Sequence, residues 1–168
     1  MSRWFNTYGF ADVAERLTIG AYPQDAEDVQ MLEFLMIDRV LNLAEDAEYK
    51  PGVRQEVAAE LERAGIEEER LRLPDYGHLP GVVLEAALEI IGDWLDEGRR
   101  VYMHCRAGWQ RSAAIAAAVI AVREGMSLED ALARVQTRKP SADPLPHQLE
   151  DLRVWWEERQ NGGAGAGR

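Results

Sequence analysis

The chain has one cysteine, two lysines, three histidines and no long apolar run among its 168 residues. A single cysteine excludes an internal disulfide framework and any zinc site built from several thiolates. No stretch approaches the roughly 20 apolar residues that a membrane-spanning helix needs. The opening MSRWFNTYGFADV lacks a basic start followed by an apolar block, so no signal peptide is expected and the reading is of a soluble, cytoplasmic protein. His78, His104 and His147 are not at ligand spacing, so neither a metal nor another cofactor is expected. Positive charge is also scarce, with 19 Lys and Arg against 30 Asp and Glu and a net charge of −11. That balance excludes the broad basic surface of a general nucleic-acid binder. It also means that an anionic ligand must be held by a local positive site against an unfavourable global field.

What is present suits one folded domain. A 46% hydrophobic content is too high for a disordered chain, and the length fits a single unit, here residues 1–160. The closing NGGAGAGR, residues 161–168, buries nothing and reads as a flexible tail. Nothing in the sequence demands a partner chain.

Between those ends the pattern alternates. Strands are expected at Glu15–Ile19, Ile37–Leu43, around Arg70–Leu73 and at Arg100–His104. Helices are expected at Asp25–Met36, Gly52–Ala64, Pro80–Asp96, Arg111–Glu124, Ser127–Arg138 and His147–Arg159. Gly65 and Gly98 stand at helix ends, and Ser127 caps with Glu129 and Asp130 behind it. The Arg111–Glu124 segment is Ala-rich and apolar almost all round, as a buried helix would be. The Trp4, Phe5, Tyr8 and Phe10 cluster reads as an N-terminal segment docked on the body, with substrate recognition the lesser option, and the acidic run Glu67–Glu69 as a solvated face. Such alternation implies an α/β fold with a central, mostly parallel sheet of four to five strands flanked by helices. In these sheets ligands bind beyond the carboxyl ends of the strands, which points to the segment after His104.

That segment reads His104-Cys105-Arg106-Ala107-Gly108-Trp109-Gln110-Arg111-Ser112. The sole cysteine ends a strand, and a buried helix begins within a turn of it. Small Ala107 and Gly108 let residues 106–111 wrap into a cradle whose successive N–H groups point inward at a dianion, aided by the helix N-terminus. Arg111 can clamp two phosphoryl oxygens with its planar fork. The same positive surroundings lower the Cys105 pKa, making it a thiolate and an in-line nucleophile on phosphorus. Ser112 can hydrogen-bond the sulfur and later help it leave. His104 reads as a support that orients the loop. Arg106 is either solvated or a substrate contact, and Trp109 either packs on a neighbouring helix or walls the pocket.

HCRAGWQRS fits the HCxxGxxRS signature, and the chain resembles the cysteine-dependent protein tyrosine phosphatases, in their compact (atypical) dual-specificity branch. The resemblance covers roughly Arg16 to Trp156, including LTIGAYPQDAEDVQMLEFLMIDRVLNLAED and RKPSADPLPHQLEDL. It implies a dual-specificity-phosphatase-like fold and a phosphocysteine intermediate on Cys105. It also implies a general acid for the leaving oxygen. Asp75 in LRLPDYGHLP, 30 residues before Cys105, is the first candidate, with Asp143 second and His78 third.

Three functions follow. The resemblance makes a protein tyrosine or dual-specificity phosphatase the default, acting on a phosphorylated protein. The alternative is a phosphatase of a small non-protein substrate: an inositol phosphate, phosphoinositide, nucleotide or RNA end, or sugar phosphate. The third is a phosphate-binding module without turnover, which the presence of Cys105, Arg111 and Asp75 disfavours.

Overall fold

The computed structural model describes residues 1–165. In chain order it runs α1 (Arg3–Tyr8), β1 (Phe10–Ala14), β2 (Leu17–Gly20), α2 (Ala26–Phe34), β3 (Arg39–Asn42), a single 3₁₀ turn (Asp46–Glu48) and α3 (Val53–Arg63). There follow β4 (Glu67–Arg70), α4 (Gly81–Asp96), β5 (Val101–His104), α5 (Arg111–Glu124), α6 (Leu128–Arg138) and α7 (Pro146–Gly165). The strands form one sheet in the order β1-β2-β5-β3-β4. Only β1 pairs antiparallel; β2, β5, β3 and β4 are parallel neighbours. This is the expected mostly parallel sheet, with five strands.

Each central strand is buried on both faces, so its side chains alternate between two apolar layers rather than between core and water. Leu17, Ile19, Leu41, Leu43, Val101 and Met103 join the larger layer under α4, α5, α6 and α7. Val40 and Tyr102 point the other way, into the layer formed with Phe5, Val29, Leu32, Val57 and Leu61 of α1, α2 and α3. The run of alanines in α5 is buried from Ala113 to Ala121. Small side chains let this helix lie close to the sheet and to α6.

Three segments depart from the sequence reading. The strand expected around Arg70–Leu73 lies earlier, at Glu67–Arg70, and takes up the acidic run expected as a solvated face. Its residues alternate between exposed and half-buried because β4 is an edge strand, so parallel pairing with Arg39–Asn42 overrides its polar composition. The N-terminal cluster is not merely docked: it forms α1 and the edge strand β1. Finally, α7 continues to Gly165, so helix enters the stretch expected as a tail at residue 161. The remainder of that stretch, residues 166–168, lies outside the described residues.

Candidate active site

Four strand ends open on one edge of the parallel sheet, and the site is assembled there. Ala21 and Tyr22 follow β2, Ala44 to Glu48 follow β3, Leu71 to Asp75 follow β4, and Cys105 follows the central strand β5. The loop from Cys105 to Gln110 delivers the chain into α5, whose first residue is Arg111.

This loop is held from outside by its carbonyls. The Arg106 carbonyl accepts from the Tyr22 amide (3.2 Å) and from the Trp4 indole (2.8 Å), and the Trp109 carbonyl accepts from the Asp143 amide (2.7 Å). Gly108 has φ +74, and a Cβ there would lie 2.6 Å from the Gly20 backbone. Two glycines thus meet back to back, and the close approach leaves no room for a side chain. Gln110 precedes α5 without a side-chain cap, so the first N–H groups of that helix are left for another acceptor.

Cys105 is buried, with its Sγ 3.4 Å from the Ser112 Oγ. Burial pushes the thiol up. The Arg111 guanidinium, the Ser112 hydroxyl and the backbone N–H groups of Ser112 and Gly108 outweigh that, and the net pKa lies below that of an ordinary thiol. His104 behind it is wholly buried. Its Nδ1–H donates to the Cys105 carbonyl (3.0 Å), and its Nε2 lone pair has no partner. Desolvation drives its pKa down to about 3, so the ring is neutral. Its ring thus hydrogen-bonds the loop backbone at the strand end.

Arg111 is only 1% exposed. Nη1 donates to Glu48 Oε1 (2.7 Å) and the Leu73 carbonyl (2.8 Å), and Nη2 to Glu48 Oε2 (2.7 Å) and Asp75 Oδ1 (2.9 Å). Burial alone would lower its pKa. Glu48, the Cys105 thiolate and Asp75 hold it above the usual arginine value instead. Asp75 also has Oδ2 3.7 Å from Arg106 Nη1.

These groups line a cavity of about 290 Å³ bounded by Cys105, Arg106, Ala107, Trp109, Gln110, Arg111 and Asp75, with Trp4, Tyr8 and Tyr76 completing the wall. Gly108 lies beneath, against Gly20, and Ser112 behind the sulfur. Of the three acid candidates only Asp75 reaches this cavity. Asp143 contributes a backbone amide to the loop, and His78 donates to Asp151 (3.0 Å) on α7, away from the sulfur. Arg106 stacks over the Trp4 ring at 5.1 Å, and Trp109 meets Tyr8 edge-on at 5.1 Å, so both the packing and the wall readings of Trp109 hold together.

The model of the family described as "Dual specificity phosphatase, catalytic domain" matches residues 17–158. The chain belongs to this family. It is a cysteine-based phosphatase domain of the protein tyrosine phosphatase type. The mouse "Phosphatidylglycerophosphatase and protein-tyrosine phosphatase 1" is 29% identical over 112 residues, 66% of this chain and 58% of the relative, so the chain spans just over half of that protein's length. The crystal structure of Tk-PTP in the active form superposes with a TM-score of 0.78 at 26% identity, covering 88% of this chain and 96% of that one. PTPMT1 in complex with PI(5)P superposes at 0.79 with 22% identity, covering 92% and 98%, and shares the fold.

Against this dual-specificity-phosphatase frame, sequence reasoning missed Glu48. The carboxylate is held in a 3₁₀ turn, where its Oε1 accepts the Glu45 amide (2.8 Å). The available signal was the acidic AEDAEY run following β3: a buried arginine requires a carboxylate partner, and that run opens on the same sheet edge. Trp4 and Tyr8 also wall the cavity, which fits the lesser option of a substrate-facing N-terminal cluster. Lys139, one of two lysines, is buried and ties α1 in place by donating to the Tyr8 carbonyl (2.9 Å) and Ser141 (3.0 Å).

Proposed function

We propose that this protein hydrolyses phosphate monoesters by in-line attack of the Cys105 thiolate. The Cys105–P bond forms as the bond from phosphorus to the leaving oxygen breaks, and the Asp75 carboxyl passes its proton to that oxygen. Water then attacks the phosphocysteine, Asp75 takes the water proton, and the thiolate leaves with the Ser112 hydroxyl donating to it. Residues 106–111 cradle the phosphoryl oxygens, with Arg111 as the bidentate clamp. The observation that carries this reading is the lowered Cys105 thiol beside a buried Arg111, with Asp75 across the same cavity.

A protein tyrosine or dual-specificity activity is the substrate reading the wall supports. Trp4, Tyr8, Tyr76 and Trp109 offer aromatic faces to a flat leaving group, and among the described residues Arg106 is the one lining cation besides Arg111. A polyphosphorylated ligand would find few cations there. The names of two relatives favour a second reading: a phosphatidylglycerophosphatase and a protein solved with PI(5)P support a small or lipid phosphate carrying one reactive phosphate. We place the protein in the cytoplasm, since its thiolate must stay reduced and the chain has no second cysteine. No described helix is long and apolar enough to cross a membrane.

Phosphate release from an aryl phosphate, phosphotyrosine and phosphoserine peptides, an inositide and a nucleotide tests these readings. Turnover that vanishes in Cys105→Ser supports the nucleophile, and the best substrate selects between the two readings. No release from any member by the folded wild type would leave a phosphate-binding module or a substrate outside the panel.

A further inference from the structure

The loop that carries Asp75 is not self-supporting. Within Pro74–Pro80, Tyr76 adopts φ +60, a left-handed conformation that non-glycine residues rarely hold without help. Gly77 folds back so tightly, its amide donating to the Pro74 carbonyl (3.0 Å), that a Cβ there would sit 2.8 Å from the Pro74 side chain. The support comes from α7, on the side away from the cavity. His147 Nε2 donates to the Tyr76 carbonyl (2.8 Å), Gln148 Nε2 donates to the Gly77 carbonyl (3.0 Å), and Asp151 Oδ2 accepts the Leu79 amide (2.8 Å). Asp151 also accepts from His78 Nδ1, so four consecutive loop residues after Asp75 are each tied to this helix.

Gln148 is the centre of the arrangement. It is fully buried, which for an uncharged amide is tolerated only when its polar atoms are used. Its Oε1 accepts the Leu145 amide (3.1 Å), which fixes the amide orientation and aims Nε2 at Gly77. None of His147, Gln148 and Asp151 lines the cavity.

We infer that Gln148, assisted by His147 and Asp151, is a positioning residue for the general acid: it sets where the Asp75 carboxyl stands over the leaving oxygen. The inference rests on Asp75 being that acid. Proton donation matters little when the leaving group is a stable phenoxide and increasingly as it becomes more basic. A displaced acid should therefore impair only the harder substrates, while the thiolate and the cradle stay intact.

The test is kcat/KM, which reports phosphocysteine formation, for p-nitrophenyl phosphate, phenyl phosphate and an alkyl phosphate. Gln148→Met removes the buried hydrogen bonds at similar volume. His147→Ala removes a half-buried partner outside the core, so it remains informative if the first variant folds poorly. Both are compared with Asp75→Asn and with the double variant Asp75→Asn/Gln148→Met. The expected result is a loss that grows from p-nitrophenyl to alkyl leaving groups, reaching about 10- to 100-fold for Gln148→Met. The rate of Cys105 alkylation should be unchanged, and Gln148→Met should add nothing in the Asp75→Asn background. A loss uniform across leaving groups, or none, beside a steep Asp75→Asn profile would overturn the positioning role alone. A flat Asp75→Asn profile would remove Asp75 as the acid and the positioning role with it.

Discussion

Arg111 has four Nη hydrogens and four acceptors for them, two on Glu48 and one each on Leu73 and Asp75. The fifth donor, Nε–H, has no acceptor among the described residues, so a phosphoryl group gripped by two guanidinium donors displaces one of the four. Glu48 grips both Nη atoms and is almost buried, while Asp75 holds one and is more exposed, so Asp75 is the acceptor that yields. On the proposed mechanism, anion binding thereby frees the carboxyl for proton transfer. Two consequences can be measured. Asp75→Asn should reduce kcat on poor leaving groups by about 10²- to 10⁴-fold while tightening inhibition by inorganic phosphate, since a charged competitor is gone. Glu48→Ala leaves a buried guanidinium without its main counter-charge and should destabilise the fold by about 3–5 kcal/mol in urea unfolding. His104 carries a third prediction. Its folded pKa of about 3 lies below the ordinary 6.5, so the unfolded chain binds a proton between those values that the native chain refuses. Stability should therefore fall as pH drops from about 6.5 towards 3, with a slope contribution of up to ~1.4 kcal/mol per pH unit. Urea unfolding of His104→Asn across that range should show a shallower dependence than wild type.

At the scale of elements, the cradle is a strand end, a tight loop and an uncapped helix start, and its shape depends on β2 as much as on its own sequence. Gly108 and Gly20 are packed back to back, and a methyl at Gly20 would strike the Tyr102 hydroxyl and the Gly9 carbonyl. Gly20→Ala should cost about 1–3 kcal/mol of stability and slow Cys105 alkylation, because the loop it supports can no longer close around the sulfur. Local geometry also explains which elements were legible beforehand. Cys105, Arg111 and Ser112 announce themselves because the whole cradle is compressed into nine residues between an apolar strand and an apolar helix. Helices α2, α3, α4 and α6 carry apolar residues at helical spacing, and α2 and α6 have side-chain N-caps in Asp25 and Ser127. By contrast, β4 is written in glutamates, and only its neighbour β3 makes it a strand. The 3₁₀ turn that presents Glu48 is too short for any period, and α1 is a six-residue helix whose place against the cradle comes from the Trp4 and Lys139 bonds across the chain.

Across the whole molecule, a net charge of −11 surrounds a site that must attract an anion. The attraction is confined to the cradle: Arg111, Arg106 and the first amides of α5 face the cavity, while acidic side chains dominate elsewhere. This arrangement suits one phosphate on an apolar body. Trp4→Ala would remove both an aromatic wall and the hydrogen bond to the Arg106 carbonyl. It should raise KM for aryl phosphates and phosphotyrosine peptides several-fold while affecting an alkyl phosphate less; equal effects on both would argue against the aromatic wall as a selector. The account rests most heavily on covalent catalysis by the single cysteine. Rapid acid quenching of wild-type protein with an aryl phosphate, followed by mass spectrometry, tests it directly, with Cys105→Ser run alongside for turnover. The expected result is one phosphoryl group on Cys105 and phosphate release reduced to background in Cys105→Ser. Undiminished release by the serine variant, or phosphate carried on another residue, would contradict it.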